Sequence, residues 1–146
     1  MSLAVHVNRL DEWPDLTGQA DHVRRAVLAA VSAAKPLVRG EVSITFLPDG
    51  EMRSLNREWL QRDQPTDVIS FQLGSPEDLL ADIYVGPDAA RRSARDLGLP
   101  VTEEILRLVI HGTLHVLGYE HAEEEGREES EMIGLQEELL RALLDA

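Results

Sequence analysis

The chain has 146 residues, 43% of them hydrophobic, with 27 acidic against 14 basic side chains and a formal net charge of −13. This length predicts one domain, residues 1–146, with a real core, and the charge argues against a general polyanion binder. The lack of cysteine excludes disulfides, thiolate zinc ligands and a cysteine nucleophile, and fits the cytoplasm.

No apolar run is long enough for a membrane span. The opening MSLAVHVNRLDEW has no basic leader followed by an apolar core, so no signal peptide is predicted. AVHVNRL (4–10) alternates as a strand does, and DHVRRAVLAAVSAA (21–34) has the period of an amphipathic helix, ended by Pro36. EVSITFL (41–47) is rich in β-branched residues and predicts a strand. Asp49 is the expected N-cap of a helix over 50–60, with Met52, Leu55 and Trp59 on one face.

RDQPTD (62–67) is a loop with turn residues Asp63 and Pro65. VISFQL (68–73) and LLADIYV (79–85) are strands joined by a hairpin that bends at Gly74 and Pro76; Gly86 and Pro87 end the second. A helix from Asp88 to Leu97 stops at Gly98, and Thr102 is the expected cap of the next. A last helix, about 124–144, carries apolar Met132, Ile133, Leu135, Leu139, Leu140 and Leu144. Its acidic start, AEEEGREESE (122–131), suits the positive end of a helix dipole. The expected architecture is α+β, with a small four-stranded mixed sheet packed by four to five helices.

The charge is unevenly spread. Residues 103–146 hold 12 acids and 3 bases, whereas 1–102 hold 15 and 11. Arg53/Arg57 and Arg91/Arg95 are i, i+4 pairs, each able to form a one-sided basic strip on a helix. Glu51, Glu58, Asp88 and Asp96 nearby favour an ordinary solvated face instead.

Three of the five histidines fall in HGTLHVLGYEH, at His111, His115 and His121. On a helix, His111 and His115 differ by roughly 40° in azimuth and about 6 Å along the axis, so both rings reach one ion at a Zn–N distance of roughly 2.0–2.1 Å. Gly118 offers a helix stop, after which the chain can turn back and bring His121 to the same ion. Three neutral nitrogens leave a coordination position for water, the catalytic rather than the structural arrangement. A single helix-face histidine is ordinarily a satisfied core or surface residue. Three at this spacing, among Leu106, Val109, Ile110, Leu114 and Leu117, would be costly to bury without a partner.

HGTLHVLGYEH closely resembles HGxLHLxGYDH, the histidine motif of the YbeY family of bacterial metal-dependent endoribonucleases. LNREWLQRDQPTDVISF (55–71), LLADIYV (79–85, similar to the family's LGDI strand), and Met132 with the closing helix fit the same pattern. The resemblance runs over about residues 40 to 144. It implies an α+β fold with one Zn2+ per chain, held by His111, His115 and His121. It also implies action on single-stranded RNA, in maturing ribosomal RNA of the small ribosomal subunit and in ribosome quality control, with ribosomal-protein or GTPase partners. The choice of zinc rests on the resemblance, because imidazoles alone discriminate weakly among metals. Three positions depart from the family pattern: Glu120 stands where aspartate is usual, Ala81 where glycine is, and Leu60 where the family has a functional arginine.

The leading expectation is hydrolysis of RNA phosphodiester bonds. Zinc would lower the pKa of its water toward roughly 7 and polarise a phosphoryl oxygen. The developing charge needs a further cation, for which Arg57 and Arg62 are the candidates. Glu120 is the candidate to orient a ligand histidine or the water, and Asp82 could support the site similarly. The resemblance implies that Thr66, Asp67 and Ser70 lie at the floor of the cleft, and Trp59 and Phe71 are either base-stacking or core aromatics. A peptidase is disfavoured because the glutamate of H-E-x-x-H is Gly112 here. A serine nucleophile is disfavoured because no strand–turn–helix elbow surrounds Ser70. The rival class is a non-catalytic, zinc-stabilised factor that binds RNA or the ribosome. His6 and His22 are expected to be structural or surface residues, and the oligomeric state is left open.

Overall fold

The computed structural model describes residues 3–34, 38–64, 66–75, 77–118 and 126–145, the side chains of 126–129 excepted. Pro36, Pro65, Pro76, Tyr119, Glu120, His121 and the first residues of the acidic run therefore lie outside the described residues.

Four strands form one mixed sheet: β1 (Leu3–Asn8), β2 (Arg39–Phe46), β3 (Val68–Gln72) and β4 (Asp78–Val85), in the order β1-β2-β4-β3. β1 and β4 flank β2 in parallel, and β3 closes one edge antiparallel to β4. The described residues also form five α-helices: α1 (Ala20–Ala34), α2 (Asp49–Leu60), α3 (Pro87–Leu97), α4 (Val101–Val116) and α5 (Gly126–Leu144). Short 3-10 turns, Leu10–Glu12 and Pro14–Gln19, connect β1 to α1. This is the expected α+β architecture, at the upper helix count.

The period-2 alternation of the strands sorts their side chains. Val42, Ile44 and Phe46 of β2 and Ala81, Ile83 and Val85 of β4 point into the main core, with Val68 of β3 packed on it. Ile69 and Phe71 point to the opposite face, where Leu47, Met52 and Leu55 join them in a small second cluster with Tyr84. α4 is the central helix and packs on α1, α3, α5, β3 and β4. Its Ile105, Leu106, Val109, Ile110 and Leu114 are buried, each such side chain contributing roughly 1.5–3 kcal/mol.

Two expected caps differ in detail. α2 begins one residue early, with Pro48 as N-cap and no side-chain cap. Asp49 is instead the first helical residue: its carboxylate receives Arg92, and its N–H donates to Asp88 Oδ2 at 3.0 Å. α4 is preceded by Pro100, which puts Thr102 inside the first turn without a capping bond. In both cases proline fixes the extended backbone that a cap needs, so the polar residue is released to other work. Gly98 ends α3 as expected, at φ 69°. Gly118 follows α4 at φ 112° and donates its N–H to His115 O; that backbone suits glycine, and it turns the chain off the helix axis.

Gly112 has a different purpose. A Cβ built there would lie 2.8 Å from Ile83 Cγ2, 2.9 Å from Ser70 Oγ and 3.0 Å from Val68 Cγ2. Two of these contacts are methyls of β-branched side chains, stiff about χ1. α4 thus lies on the β3–β4 edge at a distance only glycine permits, and Ser70 Oγ donates to Gly112 O at 3.1 Å.

Gly112→Ala is expected to lower the unfolding free energy by about 1–2 kcal/mol: overpacking costs about 1–3 kcal/mol and the helix-propensity gain returns at most about 1. Gly134→Ala, at an exposed α5 position with nothing within 4 Å of the added Cβ, is expected to stabilise by up to about 1 kcal/mol. Urea unfolding of the two variants beside the parent checks both signs.

Candidate metal and nuclease site

His111 and His115 sit one helical turn apart on the solvent side of α4, either side of the turn that Gly112 seats on the sheet. Their rings converge, with Nε2 to Nε2 at 3.1 Å and ring centroids 4.6 Å apart. Two ligands at about 2.0–2.1 Å from one ion subtend roughly 100° at that separation, so the pair fits a tetrahedral metal. Lone pairs facing each other at this distance repel unless a proton or a cation lies between them. His121 and Glu120 lie outside the described residues, and among those described no three potential ligands gather.

The histidines open onto a cleft of about 540 Å³ between α4, β3 and the loop after α2. Thr66, Asp67 and Ser70 line it, together with Arg62 and Leu60. Of the two candidate cations, Arg62 lines this cleft and has no ion pair among the described residues, whereas Arg57 points to Asp63, at 3.7 Å. The loop carrying Arg62 is anchored by Asn56, which is buried, 2% exposed. Asn56 Nδ2 donates to Gln64 O at 2.9 Å, and its carbonyl accepts the N–H of Arg62. Gln61 takes a left-handed conformation, φ 59°, to let the chain leave the helix there.

Other residues fall elsewhere. Asp82 alternates with Ala81 and Ile83, so it faces away from α4 and lines a separate apolar groove with Trp59, Phe71 and Tyr84. Those aromatics meet edge to face, Trp59 to Phe71 at 5.8 Å and Phe71 to Tyr84 at 6.1 Å. Burial pushes the Tyr84 hydroxyl upward in pKa. Ser70 commits its hydroxyl hydrogen to Gly112 O, consistent with its poor standing as a nucleophile. Three of the four strip arginines are ion-paired, Arg53 and Arg57 with Asp63 and Arg91 with Asp15, and the neighbouring Arg92 pairs with Asp49. His6 is half exposed beside Glu41, and His22 is on the surface.

A sequence profile described as Endoribonuclease YbeY matches residues 8–144. The chain belongs to this family. An Endoribonuclease YbeY from Persephonella marina is 40% identical over 104 residues, covering 68% of this chain and 67% of its own. One from Rhodospirillum rubrum is 38% identical over 147 residues, covering 89% and 72%. A solution structure of a Thermotoga maritima protein superposes with a TM-score of 0.67 at 25% identity, covering 95% of this chain and 88% of that one. YbeY proteins are nucleases, hydrolases that generally depend on a metal.

A polar network behind the histidines escaped the sequence reading. His111 Nδ1 lies 2.7 Å from Gln136 Oε1 of α5. Gln136 Nε2 donates to Glu137 Oε2 at 3.0 Å, and Glu137 accepts two bonds from Arg107 of α4, at 2.9 and 3.0 Å. Arg107 also pairs with Glu103 and with Glu104, which is buried and receives Ser93. The signal was present in the sequence: Met132, Gln136 and Leu140 recur at i, i+4, i+8 on the buried face of α5, so a polar residue there needs a partner. The Arg107 guanidinium holds the Glu137 carboxyl below its ordinary range.

Because Glu137 is depressed in the folded state, the unfolded chain binds more protons between the two pKa values. This contribution is present above the ordinary carboxylate pKa of about 4.3 and is lost as pH falls through the folded value. Arg107→Met is therefore expected to cost about 1.5–3 kcal/mol at neutral pH, because the Arg107–Glu137 pair is only partly buried while Arg107 also faces the buried Glu104. It should also flatten the fall in stability below about pH 4.3. Chemical denaturation between pH 3 and 7 reads both.

Proposed function

We propose that this YbeY protein is a zinc-dependent endoribonuclease that cleaves single-stranded RNA and acts in ribosomal RNA maturation in the cytoplasm. The observation that carries the reading is the pair of imidazole Nε2 atoms at 3.1 Å, facing a cleft that also presents Arg62. Its volume of about 540 Å³ lies within the usual range of ligand sites. Among the described residues no helix is long and apolar enough to cross a membrane. Action on the small ribosomal subunit, in ribosome quality control, and with ribosomal-protein or GTPase partners belongs to the same proposal.

His111, His115 and His121 would hold one zinc ion per chain. The ion supplies a water of lowered pKa and Lewis-acid polarisation of a phosphoryl oxygen. Arg62 supplies the fixed positive charge that opposes the growing charge on the phosphate oxygens, and Asn56 holds the loop that presents it. Leu60 and Val68 give the cleft apolar wall, which lowers the local dielectric and strengthens the Arg62–phosphate attraction. Glu120 is the candidate to orient His121 or the attacking water. The second reading, a non-catalytic zinc-stabilised factor binding RNA or the ribosome, is favoured by one observation: half-exposed Leu60 lines the cleft at the position where family members carry the functional arginine.

His111→Ala and His115→Ala are expected to abolish zinc uptake by the purified, folded protein. Elemental analysis finding one zinc per chain in either variant counts against the site. Cleavage of single-stranded RNA should disappear with the metal. Equal trace cleavage by parent and His115→Ala would leave the binding factor as the better account.

Arg62→Ala is expected to lower kcat by about 10²–10³-fold, whereas Arg57→Ala, its side chain drawn to Asp63, should change kcat by less than about tenfold. Single-turnover kinetics on one RNA oligonucleotide compare the two, and the reverse order would reassign the cation.

A further inference from the structure

Gln136 is 5% exposed and lies between two groups of different hydrogen-bonding character. On one side is His111 Nδ1, 2.7 Å from its Oε1. On the other is Glu137, whose Oε2 is 3.0 Å from its Nε2. A carboxylate only accepts hydrogen bonds. Glu137 is kept ionised by Arg107, which lowers its pKa and donates to both its oxygens. The amide NH2 must therefore face Glu137, which leaves the amide oxygen toward His111. That oxygen can only accept, so Nδ1 of His111 must carry the hydrogen. The neutral ring then has its lone pair on Nε2, the atom 3.1 Å from His115 Nε2 in the cleft.

We infer that Gln136 is a positioning residue that fixes His111 as the Nδ1–H tautomer and aims its Nε2 lone pair into the cleft, with the Glu137–Arg107 pair setting the amide's direction. The inference rests on the proposed metal site for its purpose, but the tautomer is a property of the metal-free chain. The cross-helix placement matters: the orienting group comes from α5 and the ligand from α4, so docking of α5 and readiness of His111 are one event. A histidine ligand whose other nitrogen is held in this way binds metal more tightly, and loss of such a partner typically costs about 10–100-fold in affinity.

The test uses the full chain, stripped of metal, at about pH 8.5, where an imidazole of ordinary pKa near 6.5 is neutral. Long-range 1H–15N spectra identify which ring nitrogen of His111 carries hydrogen, with His111→Ala supplying the assignment. The parent should show His111 as the single Nδ1–H form. Gln136→Met, of similar length and without acceptor, should show a mixture of tautomers and bind zinc about 10–100-fold more weakly in chelator competition. Glu137→Ala removes the group that directs the amide without touching the core; it too should mix the tautomers, and it keeps the question open to decision should Gln136→Met fail to fold.

An unchanged Nδ1–H tautomer in a folded Gln136→Met variant, or in Glu137→Ala if that variant alone folds, overturns the inference. A tautomer that shifts with zinc affinity unmoved likewise overturns it. A parent chain that takes up no zinc, while Gln136→Met still mixes the tautomers, sinks the metal reading and leaves the role of Gln136 in fixing the tautomer intact.

Discussion

The depth at which α4 lies on the β3–β4 edge is the constraint that organises the rest. Gly112 has no room for a Cβ against Ile83, Ser70 and Val68, so the backbone of the helix rests directly on their side chains. His111 precedes that contact and His115 follows it by three residues. Any larger residue would lift the helix and move both rings away from the wall formed by β3. The same glycine occupies the position where a zinc peptidase of the H-E-x-x-H type has its general base. Packing and chemistry here select against the same side chain, so a glutamate would cost the close approach as well as change the reaction.

A second layer of constraint lies behind the first. The closing helix α5 supplies a buried amide to His111 and a carboxylate to Arg107. Buried polar groups of this kind are costly unless each is satisfied, and stabilising mainly in the sense that removing one strands the others. That asymmetry suits the proposed site, whose ligands would come from a helix and from the chain beyond it. The network penalises partly docked states of α5 more than it deepens the native one, so the hydrogen bond that holds His111 is made only when α5 is docked.

Much of this was legible in the sequence, and the failures have physical causes. Strand alternation, apolar and β-branched runs and the helical period, with glycine and proline stops, pointed to the four strands and five α-helices of the described residues, because burial on one face is a strong and local signal. The histidine spacing gave the convergent pair. Asp49 and Thr102 were misplaced as caps because a proline before each helix had already set the extended conformation a cap requires. Asp82, expected as a possible support for the site, lies instead on the other face of the sheet because side chains alternate along β4. Asn56 and Gln136 went unread because each satisfies its amide with a group distant in sequence, Gln64 O at eight residues and His111 at twenty-five. No local pattern encodes such pairings, although a polar residue on an otherwise buried stripe announces that one exists.

The acidity of the chain sharpens the proposed reading rather than opposing it. With a net charge of −13, long-range attraction to a phosphate backbone is absent, and several arginines that look basic in sequence are neutralised by Asp15, Asp49 and Asp63. Exposed pairs of this kind add at most about 1 kcal/mol each to stability, so their larger effect is to erase positive patches that would hold any RNA. Arg62 escapes this neutralisation among the described residues and is the cation that lines the cleft. Substrate recognition would then depend on contacts made inside the cleft, at the metal and at Arg62, instead of on non-specific capture. A strand that cannot enter the cleft would gain almost nothing from the surface around it.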